Sequence, residues 1–202
     1  MSEQQRRRRT QADRRENTER RVLEAAIELI SRRGFNGVSL AEVGRLAGYS
    51  RGIVNYHFGS RRELLDAVVL ATQTVEVMPI DAPGLERLAH FARGYLDGVV
   101  SRDRSARAFL VLWGESAAGD PLLEPIFRER DVWFRSFLAS LVREGQIDGS
   151  ITANVDPDGL AAVLVGLLRG TAMQLLSPDN DSIVVIDVAV KTIEQVGRST
   201  PS

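Results

Sequence analysis

Two capping signatures on either side of a glycine turn constrain this 202-residue chain more than any other feature. The segment from Ser39 to Leu65 reads SLAEVGRLAGYSRGIVNYHFGSRRELL. Ser39 followed by Glu42 is a capping box, in which the hydroxyl accepts from an orphan backbone N–H and the carboxylate reaches back. Val43 and Leu46 follow at helical spacing, with Ala41 and Ala47 alongside. Gly48 supplies the left-handed conformation that stops a helix. Ser50 caps a second helix, expected from Arg51 to about Phe58 and closed by Gly59. Ser60 and Glu63 read as a second capping box, opening a longer helix through Leu64, Leu65, Val68 and Val69. A short helix, a tight turn and a second short helix form a helix-turn-helix, whose second helix enters the major groove of DNA.

Residue chemistry assigns roles within that motif. Asn55 can pair with an adenine edge, and Arg51 with guanine or phosphate. Ser39, Ser50 and Ser60 stand at helix N-termini, where backbone N–H groups favour phosphate. Arg45 and Arg61 add charge on the same side, and Arg62 reads as solvated. Phe58 and Ile53 are expected to lock the second helix onto the core.

Charge supports a polyanion partner. The first 62 residues hold 14 Arg against 7 Asp or Glu, and the remainder holds 12 Lys or Arg against 20 acids. A basic front on an acidic body suits a binding head on a non-binding frame. Residues 1–12, with Arg6 to Arg9, read as a disordered basic arm that could add phosphate contacts or reach a minor groove. Disulfides and thiolate metal sites are excluded by the absence of Cys. With two His and no Gly-rich phosphate loop or metal-spaced cluster, no enzyme and no cofactor are expected. The longest apolar run, Leu160 to Leu168, falls far short of the ~20 residues a membrane span needs. The Arg-rich N-terminus lacks the apolar stretch of a signal peptide, and a cytoplasmic location is expected.

The rest of the chain reads as helices. The first is expected from Asp13 to Arg33, with Val22, Ala25, Ala26, Leu29 and Ile30 in one stripe and Glu16 facing Arg20. Further helices are expected over about 60–77, 84–101, 104–118, 120–144, 157–176 and 182–196. Asp120-Pro121 and Asp156-Pro157 each offer an N-cap followed by Pro at the first helical position. A kink is expected near Pro125 and a loop over 145–154. Ile183 to Ile186 would pass for a strand, but Ile183, Ile186, Val190 and Ile193 keep helical spacing. The fold class is therefore all-α with about nine helices: a DNA-binding head over 13–59 and a helical body over 60–202.

The stretch resembles the DNA-binding domain of TetR-family transcriptional regulators. The matching residues are Arg33-Gly34-Phe35, Ser39-Leu40, Val43, Ala47-Gly48, Ser50, Gly52, Tyr56-His57-Phe58, Ser60 and Glu63-Leu64. Weaker likeness continues through Glu144 to Gly149, Asp156-Pro157 and the helix from Leu160 to Leu176. Gly44 stands where the family usually has Ala, and Asn55 where it often has Tyr. The resemblance implies phosphate contacts for Tyr56 and His57, and a repressor released by a small molecule. It implies a ligand cavity in the body, for which Phe91, Tyr95, Phe109, Trp113, Trp133, Phe137 and Met173 are the candidate lining. His90 and Arg169 are candidate polar contacts, and the expected effector is apolar or aromatic. One short helix reads too few base pairs for a genome, so a homodimer on a palindromic operator is expected. Its surface is assigned to Leu160, Val163, Leu164, Leu167, Leu168 and Thr171 with Ile183, Ile186, Val190 and Ile193, as a four-helix bundle of the kind the family uses. The competing reading is a helix-turn-helix protein that acts chiefly through a protein partner.

Overall fold

A computed structural model describes residues 3–72, 81–101, 104–177 and 179–198, with side chains from residue 11 onward. Among the described residues there are nine helices and no strand: α1 (Glu3–Arg33), α2 (Leu40–Ala47), α3 (Arg51–Phe58), α4 (Arg61–Ala71), α5 (Gly84–Val100), α6 (Arg104–Ala117), α7 (Leu123–Asp148), α8 (Pro157–Leu175) and α9 (Ser182–Gly197).

Two apolar cores organise them. The first is closed by Val22, Ala26 and Ile30 of α1, Phe35, Val43 of α2, Val54 of α3, and Leu65 and Val68 of α4. Ala108 and Leu112 of α6 and Leu123 and Phe127 of α7 complete it. The second fills the space between α5, α7, α8 and α9, around Leu88, Leu96, Leu138, Leu164, Leu168 and Ile193. Phe109 of α6 packs against both. Polar ties reinforce the junction: the Phe35 amide donates to Glu115 at 2.9 Å, and Asn36 donates to Asp120 at 2.7 Å. Arg104 pairs with Glu28 across α6 and α1.

Several elements depart from the expected boundaries. Helix α1 starts at Glu3, not Asp13, so backbone expected as a disordered arm is helical from residue 3. Gln, Arg and Glu are good helix formers, and neither Gly nor Pro interrupts the run. Arg20 donates to Asn17 rather than pairing with Glu16. Helix α4 is described to Ala71, and its expected continuation to Val77 lies outside the described residues. Asp120 accepts from the amides of Leu122 and Leu123 in the turn that leads into α7, but the N-cap position is Leu122, so Asp120-Pro121 precedes the helix and does not open it. Pro125 falls in the first turn of α7, where its missing N–H costs nothing, so the helix passes it without a break. The helix then runs past Glu144 to Asp148 and stops at the left-handed Gly149, with Gly145 inside it, under Ile151, where a side chain would not fit. The β-branched run at 183–186 is helical, started by Asp181 accepting from the amides of Ile183 and Val184.

Candidate DNA interface and effector site

Local chemistry sets the angle between α2 and α3. Ser39 accepts from the Glu42 amide at 3.3 Å, and Glu42 accepts from the Ser39 amide at 3.0 Å and from its hydroxyl at 2.8 Å. Arg33 adds a third bond to Glu42 at 3.0 Å, which ties the end of α1 to the start of α2. The Ser39 hydroxyl, then its amide, then Arg33 hold the Glu42 carboxyl down at about 2. Gly48 closes α2 at φ 80°, a conformation that favours glycine. Gly44 is buried where the two helices meet. A Cβ there would sit 2.8 Å from the Tyr49 carbonyl oxygen and 3.2 Å from the Ser50 carbonyl. The missing methyl therefore lets the turn fold back onto α2. Tyr49 is gripped in turn by α1, with Arg21 5.2 Å over its ring and the Thr18 hydroxyl 3.4 Å from its own.

Helix α3 is held by few contacts. Ser50 caps it by accepting from Ile53 N at 3.3 Å, and Val54 is its one fully buried side chain, with Phe58 half-buried behind it. Ile53, expected in the core, is exposed, because the inward direction belongs to the next residue. Arg51, Asn55 and Tyr56 face solvent, Tyr56 being 78% exposed. Among the described residues, the side chains of Arg45, Arg51 and Asn55 have no protein partner. They form the available part of the expected DNA face.

Three expected contacts are placed differently. The His57 side chain is only 8% exposed, with Nδ1 3.3 Å from the Glu19 carboxylate of α1. A carboxylate can only accept, so that nitrogen holds its proton and the ring is packed between helices. Arg15, bonded at 2.8 Å, keeps the Glu19 carboxyl below the usual range. Arg61 donates to the Phe35 carbonyl at 2.7 Å and lies 3.9 Å over the Phe35 ring, so it braces α4 and is not free charge. Ser60 accepts from Glu63 N at 3.1 Å, but the reciprocal bond of a capping box is replaced by its own amide donating to Phe58. Glu19, Thr18 and Arg21 support the site from α1 and carried no local sign in the sequence.

In the body, Phe91 and Tyr95 of α5 meet Phe134 and Phe137 of α7, with ring centroids 5.1 to 6.4 Å apart. Burial pushes the Tyr95 hydroxyl up from its ordinary range. Trp113 of α6 joins them through Arg169 of α8, whose guanidinium lies 4.7 Å over the indole. Phe109 belongs to the junction between the cores, packed on Phe127. Trp133 stacks on Phe137 from the outside, and Met173 is exposed, so neither lines the interior. His90 is also exposed.

The surface expected to pair two copies is only partly available. Leu160, Leu164, Leu168, Ile186, Val190 and Ile193 are buried in the core of their own chain, and Leu167 and Thr171 are half-buried. Val163 and Ile183 are 66% and 74% exposed. The outward row instead runs through Val163, Gly166, Gly170 and Met173 on α8 and Ile183, Val184 and Val188 on α9. The most apolar stripe of each helix was claimed by the monomer.

A helix-turn-helix head with an unpartnered cationic recognition face, fused to a helical body with an aromatic interior, defines a DNA-binding regulator. Residues 22–68 match the model for bacterial regulatory proteins of the tetR family, and residues 84–189 match that for the C-terminal part of BetI-type transcriptional repressors. The chain belongs to the TetR family of bacterial transcriptional regulators. The HTH-type transcriptional regulator SrpR of Pseudomonas putida is 26% identical over 189 residues, 92% of this chain and 88% of that protein. UidR of Escherichia coli K12 is 24% identical over 165 residues, 80% and 83% of the two chains. Among solved structures, a TetR-family regulator from Agrobacterium tumefaciens superposes with a TM-score of 0.76 at 17% identity, covering 91% of this chain and 100% of that one. AibR, solved in complex with isovaleryl coenzyme A and operator DNA, gives 0.70 at 22% identity, covering 87% and 97%. Among the described residues, no helix is long and apolar enough to cross a membrane.

Proposed function

We propose that this chain is a cytoplasmic homodimeric repressor that binds a palindromic operator and leaves it when a small molecule enters the body. The observation that carries the reading is the recognition face: Arg51 and Asn55 project from α3 with no protein partner, beside free Arg45 and the exposed Tyr56, whose ring rests edge-on against His57. Asn55 reads a base edge, Arg51 a base or a phosphate, and Tyr56 and Arg45 the backbone. The N-termini capped by Ser39, Ser50 and Ser60 offer backbone N–H groups to phosphates. His57 and Arg61 act by positioning α3 and α4. The head over 13–59 does the reading, and the body over 60–202 supplies the partner surface and the effector site, with no catalysis.

Two copies would pair through the outward row of α8 and α9. Those exposed apolar side chains remain uncovered in a single chain, and Gly166 and Gly170 leave open space for a close helix. Pairing fixes the distance between two recognition helices, and a ligand that favours another distance weakens binding by population shift.

The test is sedimentation equilibrium of the purified protein, alone and with a duplex carrying its operator. A dimer that binds one palindrome is the supporting result. A monomer at micromolar concentration that binds single half-sites overturns the dimeric reading.

A further inference from the structure

The body holds a charged pair between α7 and α8 whose arginine is buried and whose aspartate is partly exposed. Arg169 of α8 is 4% exposed, and its Nη2 donates to Asp131 Oδ1 of α7 at 2.5 Å. The guanidinium lies 4.7 Å from the Trp113 ring and 5.8 Å from the Phe134 ring, with the Tyr95 hydroxyl within electrostatic reach. Its Nε is buried and makes no hydrogen bond. A buried donor left unmade costs free energy, and a lone ion pair in an apolar interior is weak evidence of stabilisation. Asp131 engages only one nitrogen, whereas Nε and Nη2 together form the flat edge that accepts a carboxylate side-on with two parallel bonds.

We infer that the effector of this regulator is an aromatic or apolar carboxylate, whose anionic end docks on the Nε–Nη2 edge of Arg169 in place of Asp131. The inference rests on the reading of the chain as ligand-responsive, and it specifies the chemistry of that site. The rings of Tyr95, Trp113 and Phe134 around the guanidinium suit a flat or aliphatic body. An uncharged carbonyl could accept from Nε but would bring neither the second oxygen of a side-on pair nor the charge to replace Asp131. A cation would face Arg169 itself. The site also has a mechanical link to the head. Helix α6 carries Trp113 beneath Arg169, and two residues further Glu115, which holds the Phe35 amide at the start of the helix-turn-helix.

The test is titration of the full chain with phenylacetate, indole-3-acetate and octanoate, each against its neutral amide, read by tryptophan fluorescence. One of the acids should bind saturably and about tenfold or more tighter than its amide, as a charge-assisted bidentate contact requires. Asp131→Asn should strengthen that acid, because the competing carboxylate is gone. Arg169→Gln should erase the preference for acid over amide. Should Arg169→Gln unfold by leaving Asp131 unpaired, the double variant Arg169→Gln/Asp131→Asn carries the same expectation on an uncharged pair. Equal binding of acid and amide, or no saturable binding of any of the three acids at millimolar concentration, overturns the inference. Operator release, measured in parallel, separates the two levels. An acid that binds through Arg169 without releasing DNA leaves this site standing and removes the release mechanism. Release by amides, unchanged in Arg169→Gln, does the reverse.

Discussion

Gly44→Ala sets two effects of similar size against each other. Alanine is favoured over glycine inside a helix by about 1 kcal/mol, so propensity alone makes the variant more stable. The structure says otherwise. The added Cβ would lie 2.8 Å from the Tyr49 carbonyl oxygen and 3.2 Å from the carbonyl carbon and oxygen of Ser50, all of them backbone. Backbone cannot step aside as a flexible side chain does, so the turn must open, and overpacking of this kind costs about 1–3 kcal/mol. Taking the clash near the middle of that range leaves a net loss of about 1 kcal/mol, a fall in Tm of about 2–4 °C for a chain of this length. Because the obstruction lies between α2 and α3, operator affinity should fall with it. Gly98→Ala is the control, since nothing lies within 4 Å of its Cβ on the exposed face of α5 and propensity acts alone. Thermal melts at one protein concentration and operator titrations of the three proteins decide. If Gly44→Ala melts above wild type as Gly98→Ala should, the close approach at the turn is not what holds it.

Asn55→Ala should reorder the preference among base substitutions in the operator, whereas Arg45→Ala should weaken all sequences alike and shallow the salt dependence; competition binding at several salt concentrations reads both. Arg61→Ala should cost about 1–2 kcal/mol of stability through its lost bond and ring contact with Phe35, seen in urea unfolding. Val163→Glu should give a folded monomer by sedimentation, while Leu164→Ala, inside the core, should lose about 2–5 kcal/mol of stability. The Glu42 carboxyl is held near 2, so its contribution is complete above 4.5 and fades as pH falls toward 2. The difference in urea midpoint between wild type and Glu42→Gln should therefore hold steady above about pH 5 and close toward pH 2.

Much of this was legible in the chain because it is written locally. The Ser39–Glu42 box, the left-handed Gly48 and the Asp156 cap concern groups within four residues of one another, and all are made. Contacts made over long sequence distances were not legible. Nothing near Arg61 says that Phe35 will take its guanidinium, nor does anything near His57 point to Glu19. Helical periodicity groups Leu160, Leu164 and Leu168 on one face without saying whether that face meets its own chain or a second copy. The strongest stripe went to the core, and the weaker row with Val163 and Gly166 was left outward. The same limit hid Arg169: its type and position suggested a polar contact, but only the packed helices bring it to Asp131 between two rings.

The most direct measurement is selection of bound fragments from the genome that encodes this chain, using the purified protein near physiological salt. Enrichment of a few intergenic fragments that share a palindrome, lost on Asn55→Ala, is the expected result. Uniform, salt-sensitive retention of all fragments would mean that the head binds phosphates without reading sequence, contradict the operator-binding account, and bring a protein partner to the front.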